Sequence, residues 1–363
     1  MPTIGELLDV LEEIAPAHLA MADDPIGLQI GRKSDKFSPC VVTLDITPEV
    51  LNWAKEKGAE AVVAHHPLFF NPPRDLAGDS LQVQCVRLAM ANSIAIIAAH
   101  TNWDAAPGGV NDTLARMLGL ADIEAFGGDI TVQDCKMVTF LPADGLDSVV
   151  DALAGAGAGD IGLYKRCAFH SEGLGTFEPQ EGANPIVGEV GSRETTPERR
   201  VEMRFSSHRR KAVEAALLSA HPYDQPAYDI WDVSTEAHSL PRIGSMSPTT
   251  FSEFVGHVDR SLGSSSRGFG HAGKKVRRIA VVGGSGGRYW LSAKLAGADA
   301  LVTGEVRHHE AVEAAETGIC LVDSGHYHTE QPGMAEMRDR LESQMPTANF
   351  LLFEPLPGHC GRP

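Results

Sequence analysis

The stretch EAVVAHHPLFF, residues Glu60 to Phe70, joins a short apolar run, two adjacent histidines and a proline. The run AVVA has the length and the β-branched content of a buried strand. Pro67 cannot continue a central ladder and disfavours the helical region for His66, so the strand is expected to end here. His65 and His66 should then both project over the carboxyl edge of a sheet. A buried histidine followed by a surface histidine is the simpler alternative, and the dipeptide alone does not decide between them.

Two further apolar runs deliver histidine and carboxylate at their ends. IAIIAAHTNWD supplies His100 and Asp104. CLVDSGHYHTE supplies Asp323, His326, His328 and Glu330. Taken singly, each cluster has an ordinary explanation, such as an Asx-turn residue or an acidic residue that stabilises a helix N-terminus. Three strand ends with the same chemistry predict one shared site instead.

The spacing of His326 and Glu330, four residues apart, is that of one helical face. Thr329, however, has the character of an N-cap, and Pro332 is typical of a first helical turn. The helix is therefore expected to begin after His326, and the shared-site prediction does not depend on helical geometry.

The ligand types predict which metal ions the site would take. Imidazole and carboxylate together favour Zn, Mn, Fe, Ni or Co over Ca or Mg, which prefer oxygen ligands. The six cysteines form no C-x-x-C pair, so a thiolate zinc site is not expected. Two diverging imidazoles at one strand end suit two ions better than one, so we expect two divalent transition-metal ions per chain.

Apolar runs alternate with helical segments at both ends of the chain, which predicts an α/β fold with mostly parallel sheets. Helices are expected around residues 50–57, 81–92, 289–296 and 310–315. In such sheets, ligands bind beyond the carboxyl ends of the strands.

The middle of the chain has a different pattern, that of a small α+β domain. In RRVEMRF, apolar and charged residues alternate as in a half-exposed strand, and a helix is expected over 211–218. Because the α/β pattern resumes afterwards, this segment is predicted to be an insertion between two mixed or parallel-sheet halves of one metal-binding domain. The predicted domains are 1–127, 128–240 and 241–363. The glycine- and serine-rich stretch around 261–270 is predicted to be a flexible loop.

Composition excludes several classes of protein. With 363 residues and 43% hydrophobic content, the chain is an ordinary globular protein. A net charge of -17 disfavours a nucleic-acid partner. No apolar run approaches the roughly 20 residues of a membrane span, and the acidic start lacks a basic signal-peptide region. The chain is therefore expected to be cytoplasmic, with all six cysteines, Cys360 included, as reduced thiols.

Five motifs carry a resemblance to a known family: AHHPLFF, HTNWDAAPGGVND, VVGGSGG, TGEVRHHEA and GHYHTE. In combination and order they resemble those of the dinuclear-metal family named for GTP cyclohydrolase 1 type 2, the Nif-three-like family. The resemblance covers nearly the whole chain. The segments GAGDIGLYKRCAF, GTFEP, GANP and HPYDQPAYD are similar to the PII-like or CutA-like domain of longer members, which implies a ferredoxin-like insert.

The resemblance implies a set of metal ligands. His65 and His66 would bind different ions. Carboxylates would come from Asp104 and Glu330, with Glu330 as a bridge, and the last imidazole from His326.

Three other histidines receive weaker assignments from the resemblance. His100 and His309 match positions near the site and are candidates for acid/base or outer-shell roles. His328 stands where the family usually has a residue that binds no metal, so it is an alternative to His326 or an additional ligand. The resemblance further implies a homo-oligomer in the form of a toroidal hexamer.

The implied reaction is hydrolytic attack on the purine C8 of GTP, with ring opening and release of formate. The substrate would be a nucleotide or a phosphorylated small molecule. The glycines of GGSGGR would either cradle a phosphate or form a tight turn. The alternative is a ring-shaped metal-binding assembly or regulatory protein with little catalysis of its own. Its effector pocket would then include Tyr164, Cys167, His221, Tyr223 and Asp224.

Overall fold

The computed structural model describes residues 1–128, 130–161, 164–183 and 187–355. The chain forms two compact units. The larger unit consists of Met1–Ile130 and His238–Pro363, and the smaller unit of Thr131–Ala237. Cys360 lies outside the described residues, and the other five cysteines are free thiols. Of the helices described below, none is long and apolar enough to cross a membrane.

The first segment of the larger unit alternates helices with short strands. Its elements are α1 (Ile4–Ile14), β1 (Gly27–Ile30), β2 (Cys40–Thr43), α2 (Pro48–Glu56), β3 (Ala61–Ala64), α3 (Leu81–Ala91), β4 (Ala95–Ala98), α4 (Thr101–Ala105), α5 (Val110–Met117) and β5 (Ala121–Ala125). The helices predicted around 50–57 and 81–92 are thus confirmed as α2 and α3.

In the smaller unit, the residues that the structure describes form one sheet and two α-helices. Its elements are β6 (Ile130–Leu141), α6 (Leu146–Gly155), β7 (Ala168–Phe177), β8 (Glu194–Ser206), α7 (Arg210–Ala220) and β9 (Tyr228–His238). The strand order is β7-β8-β6-β9, and β8 pairs antiparallel with both β6 and β7. Alternate residues Val201, Met203 and Phe205 of β8 are buried against both helices, as the RRVEMRF pattern predicts. The PII-like identity of this unit stays a prediction.

The second segment of the larger unit follows the same style as the first. Its elements are β10 (Arg242–Thr250), α8 (Phe251–Leu262), β11 (Arg267–Phe269), β12 (Lys275–Val282), α9 (Trp290–Leu295), β13 (Ala300–Thr303), α10 (His308–Thr317), β14 (Cys320–Asp323), α11 (His326–Gln344) and β15 (Phe350–Leu352).

The stretch predicted to be a flexible loop contains β11, so that prediction is wrong. β11 pairs antiparallel with β14. The preceding residue, Ser266, donates its backbone N–H to Asp259 and its hydroxyl to Ser324, at 2.7 and 2.9 Å. These hydrogen bonds hold in place a stretch whose glycine and serine content alone indicates flexibility.

The described strands of the larger unit form two mixed sheets, each with parallel strands at its centre. The five-stranded sheet has the order β1-β4-β3-β2-β15, in which β4, β3, β2 and β15 are parallel and β1 is antiparallel. The six-stranded sheet has the order β11-β14-β13-β12-β10-β5, in which only β14, β13 and β12 are parallel to one another. The parallel strands β2, β3, β4, β12, β13 and β14 are those that the sequence predicts, and the sequence did not predict the parallel edge strand β15. The antiparallel strands β1, β5 and β11 lie at edges, and antiparallel β10 lies between β12 and β5.

The central strands are four-residue apolar runs that are buried on both faces. Helices α2 and α3 pack on one face of the five-stranded sheet. In the six-stranded sheet, α5 and α8 cover one face and α9 and α10 the other. Helix α11 leaves the end of β14 and packs against β2 and β15, so it carries residues from one sheet to the other.

Candidate metal centre

His65 and His66 follow β3 and lie at its carboxyl end, as predicted. Their backbone N–H groups donate to the carbonyls of Thr43 and Leu44, at 3.1 and 2.9 Å, so the chain stays extended beyond the strand. His65 is fully buried and His66 is half-buried. The two ring centroids are 5.1 Å apart, with the planes inclined by 49°. Both imidazoles therefore face one site rather than opposite faces of the sheet.

The end of β4 brings two more groups to the same place. Asp104, on the short helix α4, is buried and its Oδ1 lies 3.4 Å from His65 Nε2. His100 precedes α4, and its ring centroid is 5.1 Å from that of His65 and 5.7 Å from that of His66. Because β3 and β4 are parallel neighbours, their carboxyl ends meet at one edge of the sheet.

The third group comes from α11, which begins at His326 itself, so the predicted start after that residue is wrong. Gly325, with a φ of 81°, makes the turn out of β14. The hydroxyl of Thr329 donates back to the carbonyl of His326 at 2.9 Å instead of capping the helix. Pro332 lies inside the helix. His326 and Glu330 consequently share one helical face, and His326 Nε2 lies 2.9 Å from Glu330 Oε2.

Glu330 lies between a histidine that follows the five-stranded sheet and one that follows the six-stranded sheet. Its Oε2 lies 3.1 Å from His66 Nε2 as well as 2.9 Å from His326 Nε2. Its carboxylate is buried. One carboxylate oxygen this close to two imidazole nitrogens is the arrangement expected of three groups that could share one ion.

Each of the four clustered histidines is held through its Nδ1 atom. The partners are the Ala99 carbonyl for His65, Asp45 for His66, Asp24 for His100 and Glu305 for His326, at 2.8 to 2.9 Å. Carbonyl and carboxylate oxygens only accept, so each Nδ1 carries a proton, and Nε2 is the nitrogen left to offer its lone pair to a metal ion. Metal-binding histidines show this second hydrogen bond almost without exception.

The buried donor atoms of the cluster lack hydrogen-bond partners in the described part of the chain, and a bound metal ion would satisfy them. His65 Nε2, Asp104 Oδ1, His326 Nε2 and Glu330 Oε2 are buried and make no hydrogen bond among the described residues. Leaving such groups unsatisfied costs roughly 1 to 3 kcal/mol each. Two overlapping sets lie close enough to hold an ion, one formed by His65, His66 and His100 and the other by His66, His326 and Glu330. The donor set, imidazole and carboxylate, suits a divalent transition metal.

Burial and neighbouring charges shift the pKa values of the clustered histidines and carboxylates. Burial lowers the pKa of His65 to about 3, so this ring is neutral. Burial also works to lower the pKa of His66, but the Asp45 and Glu330 carboxylates outweigh it and raise that pKa to about 10. Burial raises the pKa of Asp104 well above its ordinary value, helped by the nearby charge of Glu330. For Glu330 itself burial is outweighed by His326 and His66, which lower the pKa.

Comparison with known proteins gives the family. A sequence model described as Duf34/NIF3 (NGG1p interacting factor 3) matches residues 2–354. The chain belongs to the DUF34/NIF3 family. A relative from Bacillus subtilis is 39% identical over 326 residues, which cover 89% of this chain and 87% of the relative. A relative from Halalkalibacterium halodurans is 37% identical over 324 residues, which cover 88% and 87%. Both are named GTP cyclohydrolase 1 type 2 homolog.

A solved structure supports the same relationship. The Bacillus cereus protein related to NIF3 is 37% identical, has a TM-score of 0.71, and is matched over 98% of this chain and 97% of its own. A Staphylococcus aureus protein is 28% identical with a TM-score of 0.70 over 99% and 98%. The whole chain, and not one unit alone, therefore has the fold of this DUF34/NIF3 group.

The other predicted residues of this family member lie away from the cluster. His309 is exposed in the first turn of α10, and no contact described for this part of the chain joins it to the four histidines. His328 lines a separate cavity with Gln331 and Asp339. Two residues along a helix point to different sides, so His326 faces the cluster and His328 does not. Asp323 forms an ion pair with Arg267 at 2.5 Å.

The glycine-rich turn after β12 has a packing role against the site. Gly284 has a φ of 60°, and a Cβ atom there would overlap Glu330 Oε1 and lie 3.1 Å from His326 Nε2. The next residue, Ser285, donates its hydroxyl to Glu305 at 2.5 Å, and Glu305 accepts from His326. A tight turn that leaves room for the Glu330 and His326 side chains is enough to explain these glycines, and a role in phosphate binding is not needed.

Sequence reasoning missed the carboxylates that hold the histidines. Asp45 and Glu305 follow β2 and β13, so the strand-end pattern that indicates His65 could have found both of them. Asp24 reaches His100 from a loop 76 residues earlier, and no local pattern marks it.

Proposed function

We propose that this chain is a hydrolase that depends on two divalent transition-metal ions, held by His65, His66, Asp104, His326 and Glu330. One observation carries the proposal: buried imidazole and carboxylate atoms converge without hydrogen-bond partners, while the opposite nitrogen of every imidazole is held in place. A buried histidine cluster with only a structural role would satisfy its Nε2 atoms with protein donors or acceptors.

We base the division of ligands between two ions on the distances between the donor atoms. His65 lies next to Asp104, and His326 lies next to Glu330, with His66 between them. We assign His65 and Asp104 to one ion, His66 and His326 to the other, and Glu330 to both. His100 belongs to the first set by distance and is an additional donor available there.

Two bound ions would supply a water of lowered pKa and would stabilise negative charge that develops on the substrate. The chain's own residues then orient the reacting groups and move the proton. Asp24 accepts from Nδ1 of His100, which directs the other nitrogen toward the cluster. We assign proton transfer to His100, because it lies at the cluster, and we retain exposed His309 as the second candidate for an outer role.

Arg288 supports a substrate with an anionic group. Its side chain is exposed and donates to the Tyr289 hydroxyl at 3.1 Å, and no ion pair with a carboxylate is described for it. It directly follows the glycine turn that packs on Glu330, and on its other side it contacts Met21 Sδ at 3.7 Å. The Met21 backbone N–H in turn donates to Thr101, the neighbour of His100. Arg288 therefore lies next to a turn that packs on Glu330 and contacts Met21, which is hydrogen-bonded to the neighbour of His100.

The substrate class we propose is a nucleotide or a phosphorylated small molecule. The names of the relatives suggest GTP, opened at purine C8 with release of formate. An arginine fork suits a phosphate better than a neutral group, because guanidinium and phosphate form paired hydrogen bonds.

A regulatory protein without turnover is the second candidate, and the smaller unit provides the observation that favours it. A cavity of about 890 Å³ in this unit is lined by Tyr223 and Asp224, two of the predicted effector residues. The Tyr223 hydroxyl donates to Glu198, which lines the same cavity, at 2.8 Å. Such a cavity would suit a small effector.

We further propose that the chain is a homo-oligomer, with the toroidal hexamer as its form. Apolar side chains on α9 and α10 support an interface: Leu291, Leu295 and Val312 are 49%, 80% and 48% exposed. The native mass in solution, measured by light scattering, tests this proposal, and a monomer would contradict it.

Turnover by metal-loaded protein separates the two functions. The protein is stripped with chelator, loaded in turn with Zn, Mn, Fe, Ni or Co, and supplied with GTP and a panel of phosphoesters. We expect substrate loss and formate release with at least one metal, and none with stripped protein or with His66→Ala. Stoichiometric metal binding without turnover of any substrate would favour the regulatory protein.

A further inference from the structure

The side chain of Phe70 stands exposed beside the candidate metal centre. Its ring centroid lies 6.3 Å from that of His100, with the planes at 88°, and yet the residue is 64% exposed. Among the aromatic residues described in the larger unit, the others are buried or half-buried. A phenyl ring left in water forgoes the stabilisation of burial, so its place beside a histidine of the cluster needs an explanation.

The chain just before Phe70 is firmly anchored. The backbone N–H of Leu68 donates to Gln29 at 2.7 Å, and its carbonyl accepts from Gln82. Phe69 packs against the core formed with α2 and α3. Phe70 is the first exposed residue after this anchored stretch, so its position beside His100 is set by the fold and not by a freely moving loop.

His100 in turn is fixed with respect to the cluster. Its Nδ1 donates to Asp24 at 2.8 Å, and its ring contacts those of His65 and His66. Phe70 therefore presents open aromatic surface next to the atoms that would hold the metal ions. An aromatic face stacks on any planar ring, whereas polar or aliphatic groups gain little from its shape.

We propose that Phe70 is a substrate-binding residue that stacks on a planar heterocyclic ring and holds it against the cluster. The proposal rests on the proposed function and narrows its substrate to molecules that carry such a ring, as purine nucleotides do. Arg288 would contact the anionic part of the same molecule, and Phe70 the ring.

Binding measurements on four proteins test the proposal: wild type, Phe70→Ala, Phe70→Trp and Leu76→Ala. Leu76 is the matched control, because it is 47% exposed on the same surface segment but has no described contact with the cluster. The probes are GTP, guanosine and ribose 5-phosphate, titrated calorimetrically into protein of measured metal content.

We expect Phe70→Ala to weaken binding of GTP and guanosine about 5- to 150-fold, the effect of losing one stacked base. Binding of ribose 5-phosphate and metal content should stay at the wild-type level. Phe70→Trp should bind the ring compounds at least as well as wild type, and Leu76→Ala should be unchanged.

Three results would overturn the proposal: no binding of guanosine by wild type, binding by Phe70→Ala equal to that by wild type, or loss of metal by Phe70→Ala. Equal binding together with a changed native mass of Phe70→Ala would make Phe70 a contact between copies of the chain. A failure of the proposed function can be told apart from a failure of this inference. Ring binding that depends on Phe70 but is not followed by turnover would contradict the hydrolase proposal and still support a ring-binding role for Phe70.

Discussion

Replacing Gly284 by alanine should release metal without unfolding the protein. The residue has a φ of 60°, so any side chain there is strained, and the added Cβ would overlap Glu330 Oε1. Backbone strain of this kind costs about 1 to 2 kcal/mol. The overlap adds a second effect, because Glu330 must move away from His66 and His326 or the turn must open.

Gly263 offers a matched control for the strain. Its φ is 64° and nothing lies within 4 Å of a Cβ built on it. Gly263→Ala should therefore lose about the same 1 to 2 kcal/mol of unfolding free energy and keep its metal. Losing an outer-shell group typically lowers metal affinity about 10- to 100-fold, so displacing the Glu330 carboxylate should lower it by roughly 100-fold or more.

Two assays separate strain from displacement. Urea unfolding of chelator-treated protein measures the strain in both variants, and competition with a chromophoric chelator measures metal affinity. Equal metal affinity in Gly284→Ala and Gly263→Ala would refute the assignment of Glu330 as a ligand packed against this turn.

Three further predictions concern ligands and domains. His326→Ala should lose a metal ion whereas His328→Ala keeps both, as measured by elemental analysis after dialysis; the reverse order would make His328 the ligand. Asp45→Asn should keep both ions but weaken metal affinity about 10- to 100-fold, because Asp45 only holds the His66 ring, and an unchanged affinity would remove it from the site. Replacing residues 131–237 by a short linker should leave a folded, metal-binding larger unit, since that unit contains the whole cluster and its own cores; insolubility or metal loss would contradict this.

The centre of the fold could be predicted from the sequence because apolar runs mark it directly. The runs CVVT, AVVA, AIIA, ALVT and CLVD are short, β-branched and buried on both faces, as parallel central strands require. The edge strands could not be predicted in this way. β5 has the sequence ADIEA and is mostly exposed, so its pairing with β10 depends on tertiary contact rather than on local pattern.

The cluster was predictable for a similar reason. Carboxyl ends of parallel strands meet at one edge, so histidines that follow β3 and β4 have to lie close together. The helical geometry of His326 and Glu330 was not predictable, because Thr329 and Pro332 are typical of a helix start and conceal the turn made by Gly325. Asp24 could not be found either, since a hydrogen bond across 76 residues leaves no local trace.

The metal content of the purified protein tests the central claim most directly. Protein purified without chelator, measured by inductively coupled plasma mass spectrometry, should hold close to two transition-metal ions per chain. Glu330→Ala should hold fewer, because we assign that carboxylate to both ions. Anomalous diffraction at the metal edge should place both ions among His65, His66, Asp104, His326 and Glu330. A content near zero, a single ion in wild type, or a metal bound elsewhere would contradict the account.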